Sequence, residues 1–574
     1  MLQRLSPFLN SNKPCDVLEF NPGVGILSSR IQELLQPRHH VLVESRPHSY
    51  KNFLEELASN PSFKVVSYNV ERNRRINWEA LLKEHFQEPV PIEPSGRNDN
   101  LLVILNLTDV KMGIGSFSTA RHLMGNLEDA LSKTGFHGYG MARMLFLMPP
   151  EEAELAIPRT VKGRKKISLM SEALSRHLIL VAETDRNEAI NALRDWQVMT
   201  KSAARAAQRT VDANVVIPAG RERPPIPPAP EYPQDGSYKP MSYAPRGRFE
   251  TDHRYLDVKA ALELTNVHAP ETANEPEIDK LKADLYNLEV IGRRNNRMAY
   301  YQLELVDKWL DIMSVETELV RVMSETPTDS ERLQEANGRL TAMTAQFTQE
   351  VLEQSVAIKS VNHLIDDRQA ALGTDGNLDR AILPWDRRPF EPLYIKQSEV
   401  WPPGSGCSIL YFEPDVQSST VRNLRDKNGK ALGEATALHH VVISALGLHS
   451  ADSLGEHLVK MFPNRPTMDI IKAVPALFPY IPKQLASSSD ESVWSSETTS
   501  IYDKFEYDLS RVRVRSLPIS VIQDLIAEYM SWPNRPDSLL HVNRALSGSM
   551  TAYDSGSVFF EFASGKAAGK VKSL

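Results

Sequence analysis

Near the start of the chain a short apolar strand, Val17-Leu18-Glu19-Phe20, runs directly into Asn21-Pro22-Gly23-Val24-Gly25 and then into a helical pattern. A glycine turn wedged between a buried strand and a helix allows only a few α/β arrangements. Glycine lets the backbone approach a ligand closely, and the helix start offers N–H groups with no intrahelical partner. Ile26, Ile31, Leu34 and Leu35 give the helix one apolar face. Val41-Leu42-Val43-Glu44 reads as a second strand and Tyr50 to Leu57 as a second helix. Phe63 to Val66, Leu101 to Leu105 and Met144 to Met148 read as further strands. The unbroken apolar run Leu101 to Leu105 is that of a strand buried on both faces. Strands alternating with helices need crossover connections, which predicts a doubly wound, mostly parallel, Rossmann-like sheet.

The pattern breaks after about residue 200. Residues 217–245 are dense in proline, with Pro224-Pro225-Ile226-Pro227-Pro228-Ala229-Pro230 at the centre, and read as an extended linker. Between 275 and 371, Ile278, Leu281, Leu285 and Leu288 recur at helical spacing, as do Leu333, Leu340, Met343, Phe347 and Val351. Thr328 can cap the second helix, with Glu331 reaching back. This predicts two long helices in an antiparallel hairpin, either a spacer or an arm that binds a partner. Cys407 to Phe412 is strand-like, and helical periodicity returns from Ala435 to Ala545. The segment after Ser547, with Lys566, Lys570 and Lys572, reads as a mobile tail.

Across 574 residues the net charge is −7, so nucleic-acid binding would have to come from local patches. Two such clusters stand out, Arg159, Lys162, Arg164, Lys165 and Lys166 in one and Arg511, Arg513 and Arg515 in the other. The second places three arginines on one face if extended. Either cluster is a solvated face or a set of phosphate contacts. Arg72, Arg74 and Arg75 form a weaker patch. Two cysteines, Cys15 and Cys407, exclude a disulfide framework and a Cys-rich zinc site. No metal site is expected: His439-His440 has no Cys or carboxylate at ligand spacing and reads as structural. Ser116 and Ser118 lie in no Gly-x-Ser-x-Gly elbow. No run of eighteen apolar residues marks a membrane span. The first fourteen residues carry only Arg4 and Lys13 as basic groups, so no Arg-rich presequence is evident.

Glu44 ends the second strand about twenty residues beyond the glycine turn, where a carboxylate can accept bonds from both ribose hydroxyls of a nucleoside. The fourth strand ends in Asn106-Leu107-Thr108-Asp109, at the edge where a doubly wound sheet places its reacting substrate. An amide there can hold an exocyclic amine. Asp109 is a general-base candidate, although a lone carboxylate at a strand end is more often a cap.

Pro22-Gly23-Val24-Gly25-Ile26 followed by Leu42-Val43-Glu44 resembles the ribosomal RNA adenine dimethyltransferase family, and within it the fungal mitochondrial transcription factor B branch. Met144 to Pro149, the basic stretch 159–166, Leu178 to Ala182, Trp401-Pro402, Ile409 to Asp415 and Trp532 to Asp537 follow in the same order. The resemblance covers about residues 15–200 and 396–545. It implies a class I S-adenosylmethionine-dependent methyltransferase sheet in residues 1–200, completed by 396–430. An insertion fills 201–395, a helical domain 431–546 and a tail 547–574. It implies that Glu19, Asn21, Gly23, Gly25, Glu44, Asn69 and Asn106 line the site of S-adenosyl-L-methionine, with Asn106 the vestigial catalytic residue.

The departures bear on activity. Active members carry Asn-Leu-Pro-Tyr or close to it after the fourth strand, where the aromatic ring stacks a flipped-out adenine. Here Thr108 and Asp109 replace the proline and the ring. Asn69 stands where an acidic residue faces the cofactor adenine, and Asn21 stands where glycine is usual. Together these imply that methyl transfer is weak or lost. The branch then implies a transcription initiation factor of the mitochondrial matrix, working with the single-subunit mitochondrial RNA polymerase on promoter DNA. Two further readings fit the same residues. One is an active adenine N6-methyltransferase on small-subunit rRNA, and the other a structural protein of the mitochondrial ribosome or transcription machinery.

Overall fold

The computed structural model describes the chain except for residues 1, 10–15, 68–77, 87–95, 109–118, 139, 185–193, 195, 224–249, 269–274, 326–328, 354–357, 374–375, 401–405, 487–499 and 548–574. Its centre is a sheet of eight strands in the order β3-β2-β1-β4-β5-β8-β6-β7. These are β1 (Asp16–Phe20), β2 (His39–Glu44), β3 (Phe63–Ser67), β4 (Arg97–Asn106), β5 (Met141–Met148), β6 (Ser175–Thr184), β7 (Leu393–Ile395) and β8 (Ser408–Pro414). All of β1 is buried, and Leu18 lies level with Val41 of β2 and Val103 of β4 in parallel register. Burial on both faces is why these strands are apolar runs and not alternating ones. β8 enters antiparallel between β5 and β6, although it lies far beyond both in sequence. The result is a Rossmann-like, mostly parallel sheet. β4 begins at Arg97 and not at Leu101, since its polar first residues pair with β5 through an irregularity that composition does not signal.

Helices α1 (Leu2–Leu9) and α2 (Ile26–Leu35) cover one face of the sheet, with Leu5, Leu9, Ile31 and Leu35 packed near Val17, Leu102 and Ile104. Ile26 departs from the expected apolar face and is 73% exposed. The buried stripe is Ser28, Ile31 and Leu35, at spacings of three and four, and Ile26 falls off it. α3 (Lys51–Ala58) packs Leu54 against Leu42 and Phe63. The opposite face is covered by α4 (Trp78–His85), α5 (Thr119–Ser132), α6 (Pro150–Ala156) and α7 (Lys166–Leu174).

The region between the sheet strands β6 and β7 holds α8 (Trp196–Asp212), α9 (Glu250–His268), α10 (Glu275–Ser324), α11 (Ser330–Glu353) and α12 (Ile358–Leu372). The expected two-helix hairpin is therefore too simple. α10 has 50 residues and spans about 75 Å. α9 packs against its first half through Tyr255 and Leu288, while α11 and α12 share a core with its second half around Trp309, Phe347 and Leu364. Thr328 and the central prolines lie outside the described residues. The cap of α11 that is seen is Asp329, whose Oδ1 accepts from Arg332 N at 3.2 Å. A carboxylate suits that place because it faces the positive end of the helix dipole.

After β8 come α13 (Ser419–Arg425), α14 (Gly429–Leu448), α15 (Leu454–Met461) and α16 (Thr467–Ala473), then the hairpin β9 (Lys483–Leu485) and β10 (Phe505–Tyr507). That hairpin interrupts the helical run expected between Ala435 and Ala545. Two more helices, Ile519–Ser531 and Leu539–Ala545, close the domain. α14 is long and apolar enough to cross a bilayer by length and composition. Here it is a core helix, buried on nearly every side from Thr436 to Gly447. A Cβ on Gly447 would lie 2.4 Å from Lys166 N, so glycine permits α14 to meet the start of α7. Trp532 stacks edge-on against Phe462 at 5.4 Å. One hydrophobic core runs from Leu18 and Val103 of the sheet through α7 to Ile522 and Trp532.

Candidate functional site

The order reverses between β1 and β4, and the C-terminal edge there is where open α/β sheets bind ligands. The turn after β1 has three left-handed residues, Asn21 (φ 51°), Gly23 (φ 61°) and Gly25 (φ 75°). Asparagine tolerates this region better than most side chains, so the turn forms without a glycine at 21. Asn21 N donates to Val43 O at 2.9 Å, and Gly25 N to Pro22 O at 3.0 Å. Gly25 ends the turn as the N-terminal flank of α2.

Glu44 is buried beneath this turn. Its Oε2 accepts from Gly23 N at 3.1 Å, and its Oε1 from Arg46 N at 2.8 Å and Ser45 Oγ at 3.4 Å. The carboxylate thus ties the two strand ends together, and Oε2, with one donor, keeps acceptor capacity to spare. Among the described residues a Cβ placed on Gly23 would meet only Tyr50 Cζ, at 4.0 Å. These features fit the ribose end of a nucleoside such as S-adenosylmethionine. Glu19 does not join them: its Oε2 lies 3.0 Å from His40 Nε2, with both side chains buried, and His40 Nδ1 lies 3.3 Å from Gln32 Oε1. Expecting Glu19 at the cofactor is corrected by this pairing, because its carboxylate holds β1 to β2 and α2.

The substrate side is different. Asn106 Nδ2 donates to Asn21 O at 3.1 Å, and Asn21 Nδ2 returns a bond to Asn106 O at 3.2 Å. Asn106 Oδ1 accepts from Thr108 Oγ1 at 2.7 Å and from Thr108 N at 3.3 Å. The amide oxygen of Asn106 is therefore engaged within its own strand end. Asn69 and Asp109 lie outside the described residues, as do Ser116, Ser118 and Arg72, Arg74 and Arg75. Among the described residues no three His, Cys, Asp or Glu side chains come together as a metal ion requires. His439 and His440 are buried in α14, with Thr420 Oγ1 at 3.3 Å from His439 Nε2.

The two basic clusters are sorted by burial. Arg164 is fully buried, gives a bidentate pair to Glu172 at 2.6–3.1 Å, and donates to the carbonyls of Arg515 and Leu517. Arg513 and Arg515 both point at Asp366 of α12, at 2.6 and 2.7 Å. Arg159 pairs with Glu183 at 2.6 Å and lies over Trp385. Arg511 pairs with Asp508 at 2.8 Å and lies over Trp309. The expected phosphate row at 511–515 is corrected: two of its arginines, and Arg164 of the other cluster, are interior groups held by carboxylates. Lys162 and Lys165 are exposed and Lys166 is half-buried.

Sequence spacing does not single out Asp366 and Asp367. Asp367 accepts from Val161 N at 3.0 Å and from Arg194 Nε at 3.0 Å, and burial pushes its carboxyl up to about 6. Arg194 also pairs with Asp386 at 2.5 Å. One helix of the insertion thereby grips 159–166, 194 and 511–515 at once. The only signal is an acidic doublet directly after the apolar Leu364-Ile365.

No protein-family model matches the chain. The chain is similar to the mitochondrial transcription factors 1 of two yeasts. Those of Saccharomyces paradoxus and Saccharomyces cerevisiae are each 27% identical to it over 197 residues, 33% of this chain and 54% of theirs. The chain thus matches about half the length of these relatives. Nothing in the likeness extends to the remaining two thirds of this chain, and the relatives' name describes a role in mitochondrial transcription.

Proposed function

We propose that this protein is a mitochondrial transcription initiation factor. It assists the single-subunit mitochondrial RNA polymerase in promoter recognition and melting, in the matrix, on a fold of the rRNA adenine dimethyltransferase type. The observation that carries the reading is the closed amide of Asn106. Its oxygen is taken by Thr108 and its nitrogen by the Asn21 carbonyl, so the scaffold persists while the group that would hold adenine is engaged elsewhere. The similarity to yeast mitochondrial transcription factors 1 supports the role. Lys162, Lys165 and Lys166 supply phosphate contacts, and promoter DNA is the ligand. The left-handed glycine turn and the Glu44 carboxylate beneath it support residual S-adenosylmethionine binding without methyl transfer.

The test is run-off transcription with the cognate polymerase on closed and pre-melted promoter templates. Stimulation confined to the closed template is expected. Equal output with and without the protein on closed DNA would overturn the reading. Dimethylation of adenine in small-subunit rRNA by the purified protein would replace it with the enzyme, and loss of that activity in Glu44→Ala would locate it.

A further inference from the structure

Two Asn-Gly steps occur in the chain, Asn337-Gly338 and Asn428-Gly429. An asparagine amide followed by glycine is open to attack by the next backbone nitrogen, because glycine carries no side chain to shield it. The fold treats the two steps differently. Asn337-Gly338 lies inside α11, where the Gly338 N–H belongs to the helix ladder. Asn337 Oδ1 also accepts from Leu485 N at 3.4 Å. Nucleophile and amide are both held there.

Asn428-Gly429 sits at the head of α14, and both residues are exposed. The Asn428 side chain does not cap the helix. Gly429 is the first residue of α14, so its N–H precedes the ladder. The carbonyl one turn back, Arg425 O, accepts from Lys133 Nζ at 3.1 Å instead. Gly429 has a left-handed φ of +54°, and a Cβ built on it would meet nothing within 4 Å. The bond from Leu432 N that ties Asn428 O to the helix is long, 3.4 Å. Rotation between the two residues can thus bring the Gly429 nitrogen to Asn428 Cγ at the expense of that one weak bond.

We propose that Asn428 is a site of spontaneous deamidation in the folded protein, while Asn337 is protected. Hydroxide takes the proton of Gly429 N, and that nitrogen bonds to Asn428 Cγ. The Cγ–Nδ2 bond breaks, and the leaving nitrogen takes a proton from water and departs as ammonia, which returns the hydroxide. Water then opens the cyclic imide at one of its two carbonyls and leaves aspartate or isoaspartate at 428. The aspartate product suits its place, because a carboxylate at a helix N-cap faces the positive end of the dipole. α14 is a core helix, so position 428 gains a negative charge while the domain stays folded. The proposal holds whether or not the protein acts in transcription.

Ageing of the full chain at mildly alkaline pH, followed by peptide mapping with mass spectrometry, tests it. One sample is kept in buffer and one in concentrated urea. In urea both steps should convert at similar rates, since neither is structured. In buffer Asn428 should convert at close to its urea rate, and Asn337 at least about tenfold more slowly, because α11 must first open. Asn428→Asp, which carries the aspartate product from the start, should melt at the wild-type temperature or above. An Asn428 that stays intact in buffer while it converts in urea would overturn the proposal. So would equal rates at the two steps in buffer, or an Asn428→Asp protein that has lost its cooperative melt.

Discussion

Gly25 and Gly23 both adopt a left-handed backbone, but they sit in different surroundings. A Cβ on Gly25 would lie 2.1 Å from Leu57 Cδ1, whereas on Gly23 the nearest atom is 4.0 Å away. Gly23→Ala should cost only the strain of its φ, about 1 kcal/mol. Gly25→Ala adds overpacking and should cost about 2–4 kcal/mol. Urea denaturation of both variants measures the gap, and equal midpoints would show that Leu57 moves aside freely. The glycine positions are legible in the sequence because a positive φ is a local demand. The occupancy of Glu44 is not, because its strongest donors are the backbone N–H groups of Gly23 and Arg46, which any sequence would supply.

At the scale of elements, the arginines of 511–515 alternate with Val512 and Val514, and that pattern correctly puts Arg513 and Arg515 on one face. It does not reveal what the face meets. Asp366→Ala should leave two guanidinium groups buried without a counter-charge and cost about 3–5 kcal/mol. Arg511→Ala, which breaks a half-exposed pair with Asp508, should cost less than about 1 kcal/mol for the ion pair. A denaturation midpoint lowered equally by both would refute the clamp. The 159–166 stretch behaves differently because its lysines reach solvent. Replacing Lys162, Lys165 and Lys166 by Ala should flatten the salt dependence of DNA binding, by about 0.9 in slope for each phosphate no longer neutralised. Fluorescence anisotropy over a salt series reads this, and an unchanged slope removes these lysines from the interface.

The whole molecule has one core joining sheet and C-terminal domain, and it buries ionisable groups whose titration should be felt as stability. Burial pushes the His137 and His439 imidazoles down to about 3. Between that value and the ordinary 6.5 the unfolded chain binds protons that the native state refuses. Their stabilising contribution is therefore present above 6.5 and is lost as pH falls, by about 1.4 kcal/mol per pH unit for each histidine. Asp129 and Asp367, raised to about 6 by burial, act oppositely. Below about 6 the native state holds their protons more tightly, which offsets part of the loss. The decline should set in near 6.5, stay shallow while the two aspartates offset it, and steepen again toward about 4, as melting temperature against pH will show. His439→Gln should make it shallower, and an identical slope would mean that His439 is not a contributor.

Local pattern suffices for the strand–turn–helix unit, the mostly parallel character of the sheet and the apolar spacing of the long helices. Those follow from glycine conformation and from hydrophobic spacing, which act over a few residues. What the polar groups do depends on partners brought from far along the chain. Arg513 and Arg515 became clamps because Asp366 arrives from 147 and 149 residues away. Asn106 closed because Asn21, 85 residues earlier, shares its strand edge. An arginine run or a strand-end amide has the same local pattern whether it meets solvent, a ligand or a carboxylate. Which of these it meets is a matter of long-range packing, and burial is what turns the answer into free energy.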